Sequence, residues 1–398
     1  MRRLQHPARV AASVAIIALT STFGAAPVPV LGADKAPVNV GLIFSSTGLL
    51  ASYGAQYEAG FKIGLAYATH GTGAVNGHKI NVTEMDDAGT AATAVTEAKG
   101  LIGQGYKIIA GSTSSAVALT LAPLAKENQV LFISGPAAAD AVTGNNRFTF
   151  RSGRQTFQDV ATAAQVIGEL QGKKILVFAQ DSAFGKANVG AVQATLGRAD
   201  VSSLLVPLTA NDFTPFAQKA KDAHPDLIFI AWAGATAGAM WKALDDQGVL
   251  AQTKIVTGLD QRASYPVFAP VAGKLTFLSH YFYQAPAKNN AANNYLTAAL
   301  KKTGKVPDLF DPDGFVAAQM IVHAVQVADG DDPAKTVPAL EGWTFGAPKG
   351  GQTIRAADHA MLQPMFICRL VGSGANVEPH LVRTLEPNAV APPVHAFP

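Results

Sequence analysis

Apolar positions along this chain come in two kinds of run. The short runs VNVGLIF (38–44), KINVTEM (79–85), KIIA (107–110) and VLFIS (130–134) have the length and β-branched content of buried strands. Between them lie longer stretches with apolar residues at helical spacing. These are YGAQYEAGFKIGLAYATH (53–70), TAATAVTEAKGLIG (90–103) and a Ser-initiated stretch reaching Lys126. Repeated strand–helix units of this kind predict an α/β fold, a parallel sheet with helices on both faces.

The pattern restarts after a change near 147–154. Helices are predicted over 155–172 (ended by Gly172), 182–197, 213–223 and 234–248, and strands over 173–179, 201–207, 226–232 and 253–258. The chain therefore holds two successive doubly wound halves. The last third is less regular, with a strand expected over 275–283 and helices over 289–304 and 313–329. Residues 376–398 carry five prolines and little periodicity, and read as a poorly ordered tail.

One stretch departs from the pattern. In AGSTSSAVALTLAPLA (110–125) an apolar strand is followed at once by Ser112, Thr113, Ser114 and Ser115. Such residues suit a helix start, where the first N–H groups lack partners. An open helix start also holds anions. Either Ser114 or Ser115 caps its own helix, or the donors are kept for a ligand.

Composition narrows the class. At 398 residues, 48% apolar and 15% charged, this is a core-rich chain long enough for two domains. Residues 1–33 combine a basic start, the apolar VAASVAIIAL and a small-residue region, the three parts of a cleaved secretory signal. Arg2, Arg3 and Arg9 leave with that leader, so 28 basic residues then face 28 acidic ones. The near-neutral mature chain gives no reason to expect nucleic acid. Cys368 is the sole cysteine, which excludes an internal disulfide and a lipid-anchoring cysteine at the end of the leader. The expectation is a free, monomeric protein of the periplasm with no direct membrane anchor.

Catalytic motifs are lacking. There is no phosphate loop, no G-x-S-x-G elbow and no H-x-x-x-H pair, and no metal or cofactor is expected. Ser182 and Lys186 have the residue types of a nucleophile pair, but Ser182 stands where a helix N-cap belongs. The residues at the ends of the expected strands, where ligands sit in open α/β sheets, point to binding rather than turnover.

Over roughly 37–370 the sequence resembles the periplasmic binding proteins of branched-chain amino acid ABC importers. The likeness rests on VGLIFSSTGLLASYG, EMDDAGTAATAV, GSTSSAVALTLAPLAKENQVLFISGPAAA, FAQDSAFGKA and the GLD segment. It implies the type I fold of two doubly wound lobes joined by a three-segment hinge. Lobe one is expected from 37–153 plus 284–346, and lobe two from 154–283 plus 347–375. A small carboxylated ligand and an inner-membrane permease are the implied partners.

The resemblance also implies site residues. Ser114, with Ser115 beside it, matches the serine that holds the ligand carboxylate. Ala137 falls where a backbone group meets the amino acid, and Ala139 where amino-acid binders often carry a threonine. Asp260 matches the carboxylate facing the ligand ammonium; the alternative is a turn aspartate paired with Arg262. Tyr53, Phe184, Trp232 and Phe310 match cavity walls. The family's disulfide positions correspond to Gly89 and Thr113. The leading expectation is an apolar amino acid; the missing hydroxyl at Ala139 and the many aromatic residues favour an aromatic or other organic acid instead. A sensor signalling to a protein partner is a third reading.

Overall fold

The computed structural model describes residues 35–268, 275–374 and 376–397; the expected leader lies outside them. In the first lobe, β1 (Val38–Phe44) is followed by α1 (Ala51–Ala68), β2 (Ala74–Val75), β3 (His78–Asp86), α2 (Ala91–Gly103), β4 (Ile108–Gly111), α3 (Ser115–Asn128), β5 (Leu131–Ser134) and β6 (Thr149–Arg151). The sheet order is β2-β3-β1-β4-β5-β6, parallel except for the short β2–β3 pair. Leu42 enters the core on one face and Ile43 the core on the other, as in a strand covered on both sides.

The second lobe repeats this plan. It contains α4 (Thr156–Ile167), β7 (Lys174–Gln180), α5 (Ala183–Leu196), β8 (Asp200–Val206), α6 (Thr214–Asp222), β9 (Leu227–Ala231), α7 (Ala237–Asp246), α8 (Val249–Gln252), β10 (Lys254–Gly258), α9 (Tyr265–Phe268) and β11 (Thr276–Ser279). Its parallel strands run β8-β7-β9-β10-β11. Some helix starts carry side-chain caps: Thr90 accepts from the Thr93 N–H and Ser182 from the Gly185 N–H.

The chain then returns. Helices α10 (Ala291–Lys301), α11 (Asp311–Ala328) and α12 (Pro333–Leu340) pack on the first lobe, as do β12 (Thr344–Ala347), β13 (Gly350–Ile354) and β14 (Met361–Leu362). Strands β15 (Met365–Val371) and β16 (Glu378–Leu385) extend the second sheet antiparallel, next to β11.

Four expectations are corrected. The helix expected to reach Gly172 ends at Ile167, because Gly168 turns out with φ +86°. The strand expected over 275–283 stops at Ser279; Tyr281 and Phe282 instead lead the chain back between the lobes, buried. Residues 347–362 belong to the first lobe, since Ala347, Ile354 and Met361 complete the core beside α11. The third crossing therefore falls between Leu362 and Met365 rather than at 346. The tail is not disordered: β16 pairs with β15, Leu385 and Val390 are buried, and the His395 N–H donates to Asp358.

Helices α1 and α11 touch through glycine. A Cβ on Gly60 would lie 1.8 Å from the Asp311 carbonyl oxygen, and one on Gly314 1.9 Å from that of Tyr57. Gly314→Ala must push the two helices apart, at a cost of about 1–3 kcal/mol or more. A lowered urea midpoint with an unchanged slope would register it.

Candidate functional site

Strand order locates the site. In each lobe the order reverses beside the first strand, between β1 and β4 and between β7 and β9. Open α/β sheets bind ligands beyond the strand ends at such a switch point. The two switch points face one another here across a cavity of about 460 Å³, within the range of small-molecule sites. Tyr53, Ser114 and Ser115 line it from the first lobe, and Phe184, Trp232 and Asp260 from the second. Phe310, from the returning chain, lies 4.7 Å from the Tyr53 ring.

The lobes meet at the cavity's edge. The Tyr53 hydroxyl donates to Asp260 Oδ1 at 2.9 Å and accepts the Gly234 N–H at 3.2 Å. The Ala235 N–H donates to the Leu49 carbonyl at 3.2 Å. One phenol thus joins both lobes to the acid.

Helix α3 starts open. Ser114 is its N-cap residue, yet its side chain makes no capping hydrogen bond. The first helical bond of this turn runs from the Ala118 N–H to the Ser114 carbonyl, and among the described residues the Ala116 and Val117 N–H groups find no acceptor. Ser112 fixes the turn instead, accepting the Ser114 N–H at 3.0 Å. The Ser115 hydroxyl is used structurally, accepting the Ala139 N–H at 3.2 Å. A hydrogen-bonded relay links Gly89 to Thr113. Asp87 accepts the Gly89 N–H at 2.7 Å and the Ser45 hydroxyl at 2.6 Å, and Ser45 Oγ lies 2.6 Å from Thr113 Oγ1.

Ala137 and Ala139 do not line the cavity. Both are buried in the core under α3, and the Ala137 N–H is spent on the Ser112 carbonyl. The extended turn after β5 alternates sides, so Pro136 and Ala138 face the cavity instead. The expected backbone contact at Ala137 is therefore corrected, and a hydroxyl at 139 would point into the core.

Asp260 is enclosed. Burial holds its carboxyl above the usual range, against hydrogen bonds from the Gln261 N–H and Tyr53. Both of those bonds fall on Oδ1, at 2.7 and 2.9 Å. Arg262 does not pair with it. That guanidinium grips Glu378, and its backbone N–H donates to Asp308. Among the described residues no cation meets Asp260. Burial raises Asp308 nearby to about 6, with the Asp260 charge adding to the effect. The Tyr53 phenol is pushed well up, by burial and then by Asp260.

Several polar cavity residues escaped the sequence reading, Arg154 and His280 among them. Arg154 follows β6, and His280 follows β11. Burial, with the Arg154 and Lys349 charges, drives the His280 ring well below its ordinary value. The ring is neutral, donating from Nε2 to the Leu309 carbonyl at 3.0 Å. The signal available was position: each follows a strand's carboxyl end, where ligand groups collect. Ser182 is a helix cap and Lys186 pairs with Asp181 at 2.9 Å, so no nucleophile is formed there.

Comparison with known proteins agrees with this geometry. The sequence model of the family described as periplasmic binding protein matches residues 37–375. A Leu/Ile/Val-binding protein homologue of Brucella melitensis is 25% identical over 328 residues, 81% of this chain and 88% of that protein. The crystal structure of an ABC-type branched-chain amino acid transporter protein from Rhodopseudomonas palustris is 33% identical, with a TM-score of 0.74 over 91% of this chain and 100% of that one. A solute-binding protein of an R. palustris ABC transporter, in complex with 4-hydroxybenzoate, shares the fold at 23% identity, with a TM-score of 0.80 over 88% of this chain and 97% of that one. By the span of that match, the two-lobed fold and the cavity between the lobes, this chain belongs to the periplasmic binding protein family, among the substrate-binding proteins of ABC transporters.

Proposed function

We propose that this protein is a periplasmic receptor, exported by a cleaved leader, that closes around a small apolar amino acid and delivers it to an inner-membrane ABC permease. The observation that carries the reading is a pair of unmatched anchors on opposite lobes. The uncapped start of α3 at Ser114 suits a carboxylate, and the enclosed Asp260 lacks a cation that an ammonium would supply. Tyr53, Phe184, Trp232 and Phe310 surround the side chain between them. A zwitterion contacts both lobes, so its binding energy favours the closed form.

Removing the Ser114 hydroxyl takes away one hydrogen bond to a charged group, worth about 1.5–3 kcal/mol. Ser114→Ala should weaken carboxylate ligands by about tenfold or more in calorimetric titration. An unchanged affinity contradicts the assignment of Ser114.

The Asp260 carboxyl also sets a pH dependence. In the ligand-free protein it keeps its proton above the ordinary carboxylate range. An ammonium beside it favours the ionised form, so amino-acid binding below the raised value expels a proton. Affinity then falls as pH falls, by at most about tenfold per unit.

A second reading takes an aromatic carboxylate as ligand. It is favoured by the Tyr53–Asp260 hydrogen bond, which already occupies Oδ1, and by the aromatic walls. Such a ligand has no ammonium to lose, and its affinity does not fall as Asp260 takes up its proton.

A further inference from the structure

Two arginines lie three residues apart after the start of β6, and the protein uses them differently. Arg151 is fully enclosed and fully engaged. Its Nε donates to the Thr143 hydroxyl at 3.0 Å, Nη1 to the Arg154 carbonyl at 3.2 Å, and Nη2 to the carbonyls of Ala139 and Asp140 at 3.0 and 3.2 Å. Arg154 is also buried, but only one side of its guanidinium is engaged. Nε pairs with Asp159, 3.2 Å from Oδ2, and Nη1 donates to the Pro136 carbonyl at 2.9 Å. Among the described residues Nη2 has no acceptor, and it is not one of the polar atoms sealed off inside the protein. Arg154 lines the cavity together with its partners Asp159 and Pro136, and Nη2 is the nitrogen of its fork left for a ligand there.

The surroundings fit a ligand oxygen there. The turn that receives Nη1 is the one tied to the start of α3, through the Ala137 N–H on the Ser112 carbonyl and the Ala139 N–H on the Ser115 hydroxyl. Arg154 and the uncapped helix start therefore flank one short turn. The guanidinium carbon sits 5.9 Å from the centre of the Phe310 ring, which also stacks with His280 at 5.0 Å. Packing from these rings and the Asp159 pair hold the fork in place before any ligand arrives, which limits the entropy lost on binding. Asp159 offsets the charge, and the free N–H groups stay available.

We infer that Arg154 is a ligand anchor and a specificity-determining residue, donating from Nη2 to an oxygen of the bound carboxylate alongside the start of α3. This rests on the carboxylate part of the function proposed above and not on its ammonium part. The substrate class it selects is a carboxylic acid, against the corresponding amide or alcohol.

The test compares wild type, Arg154→Gln and Arg154→Lys by calorimetric titration after refolding. The probes are L-leucine with L-leucinamide, and 4-hydroxybenzoate with 4-hydroxybenzamide. Arg154→Gln should weaken the bound carboxylate about 30-fold or more while changing its amide less than about threefold, and Arg154→Lys should fall between. A purely structural arginine predicts equal losses for acid and amide, and that result overturns the inference. So does an unchanged affinity, or failure of both carboxylates to bind the wild type. If only 4-hydroxybenzoate binds and shows the acid-specific loss, Arg154 stands and the amino-acid reading fails. If leucine binding needs Asp260 and ignores Arg154, the reading stands and the inference fails. The unliganded melting temperature of Arg154→Lys, kept close to wild type, shows that the fold is intact.

Discussion

Replacing Asp260 with asparagine should cost amino-acid binding about 2–5 kcal/mol, a loss of about 30-fold at the least. The size follows from where the group sits. An exposed ion pair is worth at most about 1 kcal/mol, because water screens it and competes for both partners. Asp260 is half-buried, holds Tyr53 and the Gln261 N–H on one oxygen, and meets no cation among the described residues. An ammonium enclosed with it would give up water and have only this acid to replace its charge interactions. Asparagine keeps the shape and can still accept from Tyr53, so closure of the lobes is preserved while the charge is lost. The unliganded protein should be as stable as wild type or slightly more so, since an uncompensated buried charge has gone. Titration with L-leucine and a thermal melt of the free protein check both halves of this expectation.

The second large effect lies behind the cavity, at the hinge. Lys349 is completely buried, with Nζ 2.7 Å from Asp313 Oδ1 and 2.8 Å from Gln363 Oε1. Asp313 belongs to the first turn of α11, Lys349 to the turn between β12 and β13, and Gln363 to the third crossing. A Cβ on Gly153, in the first crossing, would lie 2.6 Å from Asp313 Oδ2. One ion pair thus ties together the segments that must bend together. Lys349→Met leaves Asp313 buried and unmatched, which costs about 3–5 kcal/mol. Changing Asp313 to leucine as well should return much of that loss, because removing both charges of a buried pair is often close to neutral. Urea unfolding of the single and double variants measures this. A single variant as stable as wild type would mean that the pair carries little.

Much of the fold is readable in the pattern of residues. Runs such as Val38–Phe44 are apolar because strands covered on both faces must be, and the serine and threonine caps announce helix starts. The return of the chain is harder to read. Strands β12 to β14 are short, and their burial depends on α11, far earlier in sequence. The prolines after 376 suggest disorder, yet β16 is the edge of its sheet, where Pro379 is tolerated. At the site, the open start of α3 is legible as a serine cluster because no strand or helix interior wants those residues. Ala137 and Ala139 mislead by one position, since an extended turn sends neighbours to opposite sides. Arg154 shares its place at a strand's carboxyl end with Arg151, so position alone does not single it out. Only the partners around each guanidinium separate the structural one from the one with a free edge.

The two-anchor account reduces to one comparison. The refolded protein is titrated calorimetrically with L-phenylalanine and with 3-phenylpropionate, which share ring and carboxylate and differ in the amine. If the open start of α3 and Asp260 grip opposite ends of a zwitterion, phenylalanine binds at least about 30-fold more tightly, and Asp260→Asn erases most of the difference. If phenylpropionate binds as well or better, Asp260 does not serve an ammonium, and the ligand is a carboxylic acid without one.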